Sequence, residues 1–156
     1  MRSIFGLLCS ALLLTAAIGC SKSSSAGSGG GGGASIEGTY LLQTMESGSF
    51  KLNDEIAKMP EENRTVTIKG DKLTMNMGMK AETSTIKIDS SKSPAEMDVT
   101  ETKSDGKTET THVIYKLEGD VLTICGPDTK GSSKPEDRPK EFKSGEKTMI
   151  MTMKKK

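Results

Sequence analysis

The chain has no tryptophan and a single histidine, and aromatic residues make up only 3% of it. Past residue 20 the only rings besides His112 are Tyr40, Phe50, Tyr115 and Phe142. A surface that stacks nucleic-acid bases needs more rings than that. A dominant charge is also missing, since the net charge is +1 over the whole chain. Arg2 and Lys22 are the only charged residues among the first 34, so of 22 basic residues 20 remain to face all 21 acids. Such a surface lacks the basic stripe of a nucleic-acid binder, and no nucleic-acid partner is expected. Cysteine is scarce as well, with Cys9, Cys20 and Cys125 alone. No internal disulfide framework follows, and Cys125 reads as a small buried hydrophobe at a strand end.

Catalytic signatures are equally sparse. Neither a Gly-x-Ser-x-Gly elbow nor a His-Glu-x-x-His pair occurs. His112 has the strand parity opposite to Val113 and Tyr115, which places it on the solvated face. The acids are scattered without an acid–base pairing, and Glu61-Glu62 and Lys134–Lys140 read as solvated loops. The expectation is a protein that is not an enzyme and holds no cofactor.

The one long apolar run is Ile4–Ile18, behind Met1-Arg2. It has signal-peptide length and is short for a membrane span. It closes on Ala17-Ile18-Gly19-Cys20, which resembles the lipobox of bacterial lipoproteins. That resemblance implies a signal peptide over residues 1–19 and a lipidated Cys20 at the mature N-terminus. An ordinary signal peptide cut nearby is the alternative. Each buried methylene of an acyl chain contributes about 0.8 kcal/mol, so several chains would hold the protein to a membrane. The expected location is therefore a bacterial cell-envelope membrane, facing the periplasm or outward. After Cys20, residues 21–35 of the 20–35 tether are Ser, Gly and Ala with one Lys, including five glycines at Gly29–Gly33. A run like this cannot bury enough to offset its ordering entropy. It is a tether with a reach of roughly 20 Å.

Residues 36–156 carry a β pattern organised around Val113–Cys125, two apolar runs joined at Glu118-Gly119-Asp120. Ile36–Met45 reads as a first strand. A short helix is expected near Asp54–Lys58, capped by Asn53 or Asp54. Val66 and Ile68 alternate with threonines, and Gly70-Asp71 makes a turn. Leu73, Met75, Met77 and Met79 then share one face, as do Ser84, Ile86 and Ile88. Met97 and Val99 mark a strand that ends at the Asp105-Gly106 hairpin turn. Val113, Tyr115 and Leu117 share the next face, and Val121–Cys125 follows. A long polar loop over Gly126–Lys140 precedes a last strand, Lys147–Lys154, with Met149, Met151 and Met153 on one face. About eight strands joined by hairpins predict a small all-β, antiparallel up-and-down barrel of the lipocalin-like kind, with one short helix. A two-sheet sandwich is the competing architecture. The residues expected to face the interior or a ligand are Val66, Ile68, Leu73, Met75, Met77, Ile86, Ile88, Val113, Tyr115, Leu117, Leu122 and Met151.

Several of these residues also carry a resemblance. Ile36-x-Gly38-x-Tyr40, Pro94 with Met97-Asp98, the run from Ile114-Tyr115 through Gly119-Asp120 to Cys125, and Arg138-Pro139 with Phe142 recur in order. Together they resemble a small lipocalin-like domain of planctomycete secreted and lipid-anchored proteins. The resemblance spans Ile36–Lys154 and implies a barrel without a known activity or ligand. It also implies that Tyr40, in place of the usual Trp, plugs one end beneath the basic residue Lys154.

Two features bear on function. A methionine-lined interior suits an adaptable apolar ligand, because thioether side chains repack easily. Met75, Met77, Met79, Met149, Met151 and Met153 also present soft ligands of the kind that select Cu(I). The leading expectation is a non-enzymatic, lipid-anchored envelope protein that binds a small apolar molecule in its barrel or a protein partner at its rim. The alternatives are a structural envelope module without a ligand, and a methionine-rich periplasmic Cu(I)-binding protein.

Overall fold

The computed structural model describes residues 35–156, apart from Ser49, Met79, Thr129 and Lys130. The signal segment, the lipidation site Cys20, nearly all of the tether and Met79 therefore lie outside the described residues. No helix among the described residues is long and apolar enough to cross a membrane.

The elements are β1 (Gly38–Ser47), β2 (Phe50–Lys51), α1 (Asn53–Lys58), β3 (Thr65–Lys69), β4 (Lys72–Asn76), β5 (Ala81–Asp89), β6 (Ala95–Thr102), β7 (Thr108–Glu118), β8 (Val121–Pro127) and β9 (Thr148–Lys155). From β3 to β9 each strand pairs antiparallel with the next, as hairpin turns require. Gly106 and Gly119 sit at two of those turns with positive φ, which a side chain would resist. β1 pairs with β3 on one side and with β9 on the other. That second pairing closes an eight-stranded barrel, with β2 as a short extra strand on β1. A sandwich is thereby excluded, and each of the eight strands of the ring has a partner on both sides over part of its length.

Closure depends on one irregularity. Leu42 pairs with Met153, but the next partner of Thr152 is Thr44. Gln43 is the extra residue of a β-bulge and points to solvent. The bulge resets the parity of β1, so Tyr40 and Leu42 face inward before it and Met45 faces inward after it, opposite Met151.

At one end the barrel is sealed. Tyr40, Leu42, Ile68, Ile86, Tyr115 and Leu122 are buried there in one apolar cluster. Burying each such side chain contributes about 1.5–3 kcal/mol. Tyr40 is fully buried. Its hydroxyl donates to the Ile36 carbonyl at 2.7 Å, and burial pushes its pKa up. The cation over its ring is Lys155, 5.9 Å from the centroid, and not Lys154 as the sequence suggested. The reason is parity. Lys155 lies opposite Tyr40 in the β1–β9 ladder, whereas Lys154 pairs with Leu41 and points outward.

α1 starts one residue earlier than expected and lacks the expected side-chain cap. The Asn53 amide donates instead to Glu46 Oε1 at 3.3 Å. Ile56 of α1 is buried, and Leu52 and Met59 pack against the same core.

Candidate functional site: a methionine-lined cavity

The other half of the barrel is not filled. A cavity of about 230 Å³ lies among Met45 of β1, Val66 of β3, Leu73 and Met75 of β4, Val99 of β6, Val113 of β7, Ile124 of β8, and Met149, Met151 and Met153 of β9. Glu82 and Ser84 of β5, Glu101 of β6, Thr111 of β7, and Gly126 and Pro127 of β8 complete its lining. These last residues sit at the ends of their strands away from Tyr40. They define a mouth, opposite the sealed end.

Of the residues expected inside, Val66, Leu73, Met75, Val113 and Met151 line this cavity. Ile68, Ile86, Tyr115 and Leu122 are buried in the apolar cluster, and Leu117 packs partly buried against it. Met77 also packs partly buried against the core, but β4 ends at Asn76 and Met77 lies just beyond it. Ile88 is a correction, because it is 38% exposed. It has inward parity, yet the β4 ladder stops at the Lys72–Thr85 pair. Ile88 thus projects past the end of its neighbour, with no strand on that side to cover it.

Sequence parity missed Met45, Val99 and Ile124 as cavity residues. Val99 and Ile124 do continue the alternations of Met97 and Leu122, a signal that was available. Met45 depends on the bulge at Gln43, which no local pattern announces. Met75, Met149, Met151 and Met153 do converge on one cavity from strands distant in sequence, and Met45 joins them.

The outer face carries a second, non-cavity arrangement. The described part of the segment between β8 and β9, residues 131–147, packs outside β7 and β8 and covers Cys125. The Cys125 thiol lies 3.6 Å from the Glu141 carbonyl, and burial pushes its pKa up. Lys116 lies over the Phe142 ring at 5.3 Å. Arg138 ties the segment down. Its Nη1 donates to the Val113 carbonyl at 2.7 Å and the Met97 carbonyl at 3.2 Å, and its Nη2 donates to Asp98 Oδ1 at 2.6 Å. His112 Nδ1 lies 2.8 Å from the same carboxylate oxygen. His112 does face outward, but the segment leaves it partly buried instead of solvated. Burial raises the Asp98 pKa, but hydrogen bonds from His112 and Arg138 and the charge of Arg138 outweigh it and hold the carboxyl low. Asp98 and Arg138, quoted above in separate pieces of sequence, thus meet in one contact.

Chemically the cavity offers apolar contact, soft sulfur atoms and a rim of carboxylates and hydroxyls. No protein family, no curated protein and no solved structure matches the chain.

Proposed function

We propose that this chain is a non-enzymatic, lipid-anchored envelope protein, allied to the planctomycete lipocalin-like proteins, that binds a small apolar ligand in its barrel. The observation that carries the reading is a barrel sealed at Tyr40 and hollow at the other end, with an apolar cavity of about 230 Å³. Binding sites for drug-sized molecules are usually about 300–1,000 Å³. The occupant is therefore small, or the methionines repack around it. The groups most able to do chemistry are engaged elsewhere. His112 is held by Asp98 on the outer face, and Cys125 is buried under the 131–147 segment. Lipidation at Cys20 would hold the domain within a tether's reach of the bilayer, where apolar molecules concentrate.

A second reading draws on the convergence of Met45, Met75, Met149, Met151 and Met153, a thioether set suited to Cu(I). Native mass spectrometry of the full-length protein, taken gently from its membrane and again after anaerobic Cu(I) addition, separates the two. A co-purified apolar mass supports the ligand-binding barrel. A one-copper adduct lost in Met75→Leu/Met151→Leu supports the metal site. A bare mass in both conditions refutes both and leaves a structural module.

A further inference from the structure

The barrel wall parts in three places around the mouth, and the described residues fill only two of them. β1 leaves β3 after the Leu41–Thr65 pair, and α1 packs against β1 beyond that point. β7 leaves β8 beyond the Ile114–Cys125 pair. There Ser132 and Ser133 take the free edge, their hydroxyls accepting from the Thr110 and His112 amides, and the Ser133 amide donating to the Thr110 carbonyl. The third parting lies between β5 and β6. Their ladder stops at the Thr85–Thr100 pair. Ala81–Ser84 continues against β4 alone, and Glu101–Thr102 against β7 alone. No described segment enters this slit. It holds a polar cleft of about 320 Å³ that shares Glu82, Ser84 and Glu101 with the apolar cavity. Cavity and cleft thus adjoin at these three residues, with an apolar lining on the inner side and a polar one where the wall parts.

The neck between the two halves is rich in hydrogen-bond acceptors. Ser84 is buried to 6% exposure and lines both the cavity and the cleft. Glu82 has no ion-pair partner among the described residues, whereas Glu101 is matched by Lys103 at 2.7 Å. Lys80 and Lys103 line the cleft but not the cavity, and Lys103 is held between Glu101 and Glu109. An inserted carboxylate would meet the unmatched negative charge of Glu82 at this neck. A cationic amine would meet a free carboxylate and a hydroxyl, with charge-assisted hydrogen bonds to each.

We propose that the ligand is a single-chain cationic amphiphile: its short apolar tail fills the methionine-lined cavity and its amine sits in the β5–β6 slit against Glu82, Ser84 and Glu101. This rests on the reading that the barrel binds a small apolar molecule. The cavity limits the tail to roughly eight carbons, taking a methylene as the ~30 Å³ of a water molecule.

The test measures binding of octylamine, 1-octanol and octanoate to the full-length protein by isothermal titration calorimetry, below the aggregation concentration of each. Octylamine is expected to bind about tenfold or more tighter than octanol, the gain of a hydrogen bond to a charged group, and octanoate more weakly than either. In Glu82→Gln the preference for the amine over octanol is expected to shrink several-fold. The exposed position of Glu82 makes this variant safe for folding. Met151→Phe, which fills the cavity, is expected to weaken octylamine and octanol alike. Octanol binding as tightly as octylamine, or an amine preference untouched by Glu82→Gln, overturns the head-group assignment and leaves the apolar site standing. Binding of none of the three, or binding unaffected by Met151→Phe, overturns the cavity reading itself.

Discussion

Replacing Arg138 by Ala should loosen the whole outer segment from the barrel. The guanidinium is 14% exposed and makes two hydrogen bonds to main-chain carbonyls and one to Asp98. Hydrogen bonds from a charged donor contribute about 1.5–3 kcal/mol, and removing one partner of a buried ion pair costs about 3–5 kcal/mol. The Asp98 side chain is 31% exposed, so water will recover part of that loss. The expected destabilisation is about 2–4 kcal/mol, seen as a lower midpoint in urea denaturation of the full-length chain with little change in slope. Arg138→Lys should lie between, because an ammonium keeps the charge but not the fork that reaches carbonyls and carboxylate together. The acid limb supplies an independent check. Asp98 is held below its ordinary pKa in the folded state, so its contribution is present above the unfolded value near 4 and is lost as pH falls through the lower folded value. Wild type should therefore lose stability below about pH 4 more steeply than Arg138→Ala does. A loss under about 1 kcal/mol for Arg138→Ala, or an acid limb parallel to wild type, would refute the claim that this contact secures the segment.

Three further outcomes test the barrel itself. Ile88→Ser should change stability by no more than about 0.5 kcal/mol in the same denaturation assay, as expected of an exposed site, whereas a core position would lose several times that. Gly126→Ala should destabilise by about 1–3 kcal/mol, because an added Cβ would come within 2.7 Å of Val113 Cγ1 inside the wall; an unchanged thermal midpoint would show that the wall can give. Met153→Ala removes a fully buried side chain at the floor of the cavity. It should cost about 2–5 kcal/mol in thermal or urea unfolding and raise the affinity for longer apolar tails, which dye displacement would read.

Much of the barrel could be read from local pattern. β-branched and methionine residues alternate with Thr and Lys, and Gly-Asp and Asp-Gly turns separate the runs, so strands β3 to β9 fall close to their expected places. Inward parity was right for Val66, Ile68, Leu73, Met75, Ile86, Val113, Tyr115, Leu122 and Met151. A side-chain period of 2 is a property of the extended backbone and needs no tertiary information. The site was less legible, because a cavity is made where strands from distant parts of the chain fail to fill the space between them. Ile88 has the right parity and the wrong surroundings, since its burial depends on how far β4 extends beside it. Lys155, not Lys154, covers Tyr40, because one residue of register across the β1–β9 ladder decides which side chain faces the ring.

The sequence by itself determined the alternation, the turns and the antiparallel order, since all of these follow from residue type and near-neighbour spacing. Only the tertiary structure decided the closure of β1 onto β9, the bulge at Gln43 that turns Met45 inward, the meeting of Asp98 with Arg138, and the parting of β5 from β6. Each of these is a relation between residues far apart in the chain, set by how eight twisted strands fit around one ring, and local propensity carries no term for that fit.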